Sequence, residues 1–156
     1  MSVMPSPPTI LVDADACPVK EEVYRVARRY EVPVVIVSNS GMRVPFEPLI
    51  RQQIVEAGPD AADDWIAEHA SSTAIVVTTD IPLADRSLKQ GAVVIAPNGK
   101  LFTESSIGSA MATRAIMEQL RSTGDQLGGP APFTKADRSR FLQSLDTAVV
   151  RLKRPS

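Results

Sequence analysis

The sequence predicts an α/β sandwich built on a mostly parallel sheet, and three observations predict it. Short runs rich in Val and Ile recur along the chain with almost no polar alternation, as strands covered on both faces do. Segments with apolar residues at helical spacing separate those runs. The first strand–helix–strand trio demands a crossover, and hence a parallel, right-handed unit.

The elements follow in order. Thr9–Val12 reads as a buried strand. Pro18 suits the first position of a helix, where its missing N–H costs nothing. Val19, Val23, Val26, Ala27 and Tyr30 then recur at helical spacing, giving an amphipathic helix of about three turns. Val32–Ser40 is a second buried strand. Leu49–Glu56, after Pro45 and Pro48, reads equally as a strand or a short helix. Ala61–Ala70 is helical, Thr73–Thr79 is a strand, and Ile81–Gln90 is a helix framed by Pro82 and Gly91. Ala92–Ala96 is a strand, followed by the hairpin dipeptide Asn98-Gly99. Ser105–Ser122 and Lys135–Val149 are helices, joined by the Gly/Pro loop GDQLGGPAPF. That loop either closes over a site or docks the last helix.

The 156 residues suit one domain, expected over residues 9–150, between a flexible leader (1–8) and a basic tail (151–156). No apolar run approaches the roughly 18 residues that cross a bilayer, so no membrane partner is expected. The first residues do not read as a signal peptide, and the single cysteine, Cys17, fits a reducing cytoplasm. Charge is uneven. Residues 1–110 carry 9 Lys/Arg against 14 Asp/Glu, and the remainder 8 against 4. An acidic part that holds cations beside a basic part that meets phosphates is one reading; ordinary variation along a chain is the other.

In such sheets ligands bind beyond the carboxyl ends of the strands. Asp13 and Asp15 follow the first strand, and Asp80 ends the run TAIVVTTD, with Asp85 five residues on. Asp60, Asp63 and Asp64 open the intervening helix, where carboxylates are favourable in any case. Each alone reads as a cap or turn residue. Together they repel, and hard cations such as Mg²⁺ or Mn²⁺ would offset that repulsion through oxygen ligands. No His/Cys cluster points to zinc. Asp-x-Asp after a strand resembles the haloacid-dehalogenase phosphatases, but the lysine of that family is missing: none lies between Ser38 and Asp85.

A second resemblance covers almost the whole chain. It rests on VDADACPVKEEVYRVA, VSNS, GPDAADDWIAEHA, TTDIPLADRSLKQGA, APNGKLFTESSIG and GGPAPFTKADRSRFLQSLD. These are similar to the YaiI/YqxD family of functionally uncharacterised bacterial proteins. The resemblance implies a PIN-like three-layer α/β sandwich. PIN-like domains are often metal-dependent ribonucleases, which implies phosphodiester hydrolysis of RNA, with Asp13, Asp63, Asp80 and Asp85 holding one or two Mg²⁺ or Mn²⁺ ions. Asp60 and Asp64 compete with Asp63 as the middle acid, and Asp15 supports Asp13 or caps the helix. A non-catalytic metal- or nucleotide-binding module is the alternative.

Other residues carry weaker signals. Ser38 and Asn39 could bind a phosphate or form a polar turn. Thr79, with Thr78, either orients Asp80 or packs at the strand edge. His69 reads as structural. Cys17 reads as packing, the other possibility being a thiol activated at a helix start. Arg114 and Arg121, seven apart on one helix face, are candidate nucleic-acid contacts or a solvated surface. One Trp and two Tyr give no evident stacking platform, and nothing assigns an oligomeric state.

Overall fold

The computed structural model describes residues 8–14, 17–41, 43–56, 58, 60–109, 111–113 and 133–153. Six strands form one sheet: β1 (Thr9–Asp13), β2 (Val34–Ser38), β3 (Ile50–Ile54), β4 (Ala74–Val77), β5 (Val93–Ile95) and β6 (Leu101–Phe102). Their order is β3-β2-β1-β4-β5-β6, parallel throughout except for β6, which runs antiparallel to β5. The helices are α1 (Lys20–Tyr30), α2 (Ala61–His69), α3 (Ile81–Lys89), α4 (residues 104–109 and 111–113) and α5 (Lys135–Lys153).

Strand alternation divides the core in two. Ile10, Val12, Val34, Ile36, Ile75 and Val77 face α1 and α5, where they pack with Val23, Val26, Phe141 and Leu145. Leu11, Val35, Val37, Ala74 and Val76 face α2, α3 and α4, packing with Ile66, Leu83 and Ile107. The result is the expected three-layer α/β sandwich, with β1, β2 and β4 covered on both faces. That double cover is why those strands read as continuous apolar runs.

Several element ends differ from expectation by a residue or more, and one open reading is settled. α1 begins at Lys20, not Pro18: Val19 sits at φ −115° and ψ 30°. The carbonyls of Cys17 and Pro18 accept from the side chains of Lys20 (2.9 Å) and Arg138 (2.8 Å) rather than from helical N–H groups. α1 stops where Glu31 turns left-handed, at φ 55°. The ambiguous segment after Pro48 is a strand, because β3 pairs with β2 from Ile50 to Ile54. α5 runs on to Lys153, so the first three residues of the basic tail form its last turn. Pro8 is the one part of the expected leader among the described residues.

The hairpin at Asn98-Gly99 forms as expected. Gly99 has φ 89°, and its N–H donates to the Ala96 carbonyl at 2.8 Å. A Cβ there would stand 2.5 Å from the Arg140 carbonyl carbon, so the turn docks directly on α5. No helix of the described residues is long and apolar enough to cross a membrane.

Candidate acidic site

The strand order creates one special place. From β1 the chain builds outward to β2 and β3, then returns to lay β4 on the other side of β1. The carboxyl ends of β1 and β4 therefore flank a topological switch point, where α/β sheets bind their ligands. Asp13 is the last residue of β1, and Thr78 and Asp80 follow β4.

Asp13 shares the strand face of Leu11, and Thr78 that of Val76, so both point toward the α2–α3 layer. Thr78 is fully buried, and its hydroxyl donates to Asp13 Oδ2 at 2.9 Å across the switch point. The same hydroxyl oxygen accepts from the Asp80 N–H at 3.0 Å. Asp80 caps α3: its Oδ1 accepts from the Leu83 N–H at 2.8 Å. Thr79 is exposed, so of the two threonines Thr78 makes the contact.

α2 supplies the third acid. It packs against β1 and β2 beside α3. Burial pushes the Asp63 carboxyl up to about 6, and the negative charges of Asp80, Asp13 and Asp60 add to the rise. Arg86 is the cation that opposes it. Of the three candidate middle acids, Asp63 is thus the half-buried one that feels Asp13 and Asp80. Asp64 is exposed and pairs with Arg86 at 2.8 Å. Asp60 is the exposed N-cap residue of α2 and makes no side-chain cap bond. Asp85 pairs with Lys89 one turn along α3, at 2.9 Å, and is not among the charges that raise Asp63.

The remaining candidates separate from the acids. Ser38 falls on the strand face of Val34 and Ile36, opposite Asp13, and its hydroxyl donates to the Ser40 carbonyl at 2.6 Å. Asn39 donates to the Gly58 carbonyl at 2.9 Å, which ties the end of β2 to the loop entering α2. Cys17 is buried, and burial pushes its thiol up to about 11, so it stays protonated at neutral pH. His69 is exposed and stacks on Trp65. Asp15, Arg114 and Arg121 lie outside the described residues, as does most of the Gly/Pro loop.

The donor chemistry suits a hard cation: the gathered groups are carboxylates, and their mutual repulsion is only partly countered by Arg86. The spacing does not yet make a cage. Among the described residues, no three acids, histidines or cysteines stand close enough to hold one ion together.

The chain matches the family described as "Uncharacterized BCR, YaiI/YqxD family" over residues 11–151. A UPF0178 protein of Sphingopyxis alaskensis is 65% identical over 150 residues, covering 96% of this chain and 97% of that protein. A UPF0178 protein of Brucella ovis is 60% identical over 146 residues, covering 93% of this chain and 91% of its own length. No solved structure matches. With the match spanning nearly the whole sandwich, acids included, the chain belongs to the YaiI/YqxD family.

Proposed function

We propose that this chain is a PIN-like, metal-dependent nuclease that hydrolyses phosphodiester bonds, with RNA as substrate. The observation that carries the reading is the gathering of Asp13, Asp63 and Asp80 at the switch point, where the charges of Asp13 and Asp80 raise the cost of charging Asp63. Asp13, Asp63 and Asp80 would hold one or two Mg²⁺ or Mn²⁺ ions, and Asp85 would join them on giving up Lys89. When bound, such ions activate a water and offset the charge on a leaving oxygen. Thr78 fixes the Asp13 carboxylate, the Leu83 N–H fixes Asp80, and Arg86 pairs with Asp64. A cytoplasmic location agrees with the single cysteine.

The second reading, an acidic pocket that binds a metal or nucleotide without turnover, is favoured by the commitment of Asp85 to Lys89, which leaves the fourth acid of the nuclease set paired elsewhere. Single-stranded and structured RNA, incubated with Mg²⁺, Mn²⁺ or chelator, separate the two. The nuclease reading expects cleavage with an ion and none with chelator. The binding reading expects either ion to raise the melting temperature while every RNA stays intact.

A further inference from the structure

A cavity of about 260 Å³ opens on the α2 side of the sheet, away from the strands' carboxyl ends, and nothing so far gives it a purpose. Its floor is one row of the sheet: Leu11 pairs with Val35, and Val35 with Arg51. Leu11 and Val35 belong to the core beneath α2, so the floor is apolar. α2 lies against β1 and β2, and the end of the row at β3 stays open. The wall is aromatic. Trp65 and His69 stack with ring centroids 3.7 Å apart and planes 12° from parallel. His69 Nδ1 donates to the Trp65 carbonyl at 2.7 Å, which holds the imidazole in place. Arg51 supplies positive charge, and among the described residues it makes no ion pair and no side-chain hydrogen bond. The hydroxyls of Ser71 and Thr73, 3.1 Å apart, stand at the rim.

An apolar floor, a fixed aromatic pair and an uncommitted guanidinium suit a ligand that is planar at one end and anionic at the other. We infer that the cavity binds one nucleotide unit, its base against Trp65 and His69 and its phosphate on Arg51. Aromatic side chains stack on any base, and a guanidinium matches a phosphate bidentately. The volume suits a single base and not a longer stretch. Free mononucleotide and one residue of a single strand share this chemistry. The site is separate from the acids. Its floor row lies two residues, about 7 Å, below Asp13 along β1. Trp65 and Asp63, two apart on α2, project from opposite flanks of the helix. The cavity therefore has its use whether or not the acids catalyse.

Trp65 is the chain's one tryptophan, so its fluorescence reports on this cavity. The full chain is titrated in chelator with adenosine, adenosine monophosphate and an adenosine hexanucleotide. Saturable quenching by the monophosphate is expected, with adenosine weaker by about five-fold or more. His69→Ala and Arg51→Ala, both at exposed positions, should each weaken the monophosphate by about ten-fold, and Arg51→Ala should erase the preference over adenosine. A hexanucleotide about ten-fold tighter than the monophosphate assigns a strand; equal affinity assigns the free nucleotide. Circular dichroism confirms folding. No saturable quenching, or parental affinity in either folded variant, overturns the inference. If neither variant folds, equal binding of adenosine and its monophosphate by the parent overturns it.

Discussion

Thr78 shows how much one side chain settles at this site. Its hydroxyl donates a hydrogen bond to Asp13 and accepts one from the Asp80 N–H, so it joins the ends of β1 and β4. Thr78→Val keeps the shape and removes both bonds in a fully buried place. It should destabilise the chain by about 1–3 kcal/mol in denaturant melts, and Thr78→Ser should recover most of the loss. Counting by twos from Ala74 and Val76 puts Thr78 on the acid-facing side, so its advantage over Thr79 was open to sequence reasoning. The choice among Asp60, Asp63 and Asp64 was not, because it depends on how α2 packs on the sheet, which half-buries Asp63 beside Asp13 and Asp80 and leaves Asp60 and Asp64 exposed. Asp63 also gives the site a pH signature. Its folded value, about 6, lies above the ordinary 3.8, so protonation favours the folded chain. That favourable contribution is complete below the ordinary value and lost as pH rises through about 6. In chelator, Asp63→Asn should therefore melt above the parent at about pH 8, and the gap should close toward about pH 4. Solvent screening of a half-exposed group keeps it under about 1 kcal/mol.

At the scale of elements, local patterns were readable wherever one element decides its own state. β1, β2 and β4 announced themselves as unbroken apolar runs, and α3 by Pro82 and Gly91. The Leu49–Glu56 segment did not, since pairing with β2 is what makes β3 a strand. α1 starts two residues later than Pro18 suggested, since Val19 leaves the helical backbone, and Arg138, 120 residues away, donates to the Pro18 carbonyl there. Gly99 carries both kinds of information. Its place in the Asn-Gly turn is local, whereas its contact with the Arg140 backbone is not. Ser144 reinforces that contact by donating to the Gly99 carbonyl at 2.6 Å. Gly99→Ala meets a left-handed backbone and a clash at once, and should cost about 2 kcal/mol or more in an equilibrium melt. A loss of a few tenths would mean that α5 shifts easily away from the hairpin.

For the whole molecule, topology does what no segment can. Asp13 and Asp80 are 67 positions apart, and only the return of β4 to the side of β1 makes them neighbours. The sequence offered the acids and the α/β class; the strand order that gathers Asp13, Asp63 and Asp80 rests on non-local pairing that no periodicity encodes. The Trp65–His69–Arg51 cavity was hidden for the same reason, since β3 must join the sheet before Arg51 can face α2. The acids can be tested as one unit. Cleavage of a single RNA in Mn²⁺ is measured for the parent and for Asp13→Asn, with melting curves to confirm that both are folded. The gathered-acid account predicts ion-dependent cleavage by the parent and a loss of at least about a hundred-fold in the variant. A folded Asp13→Asn that cleaves as fast as the parent would contradict it.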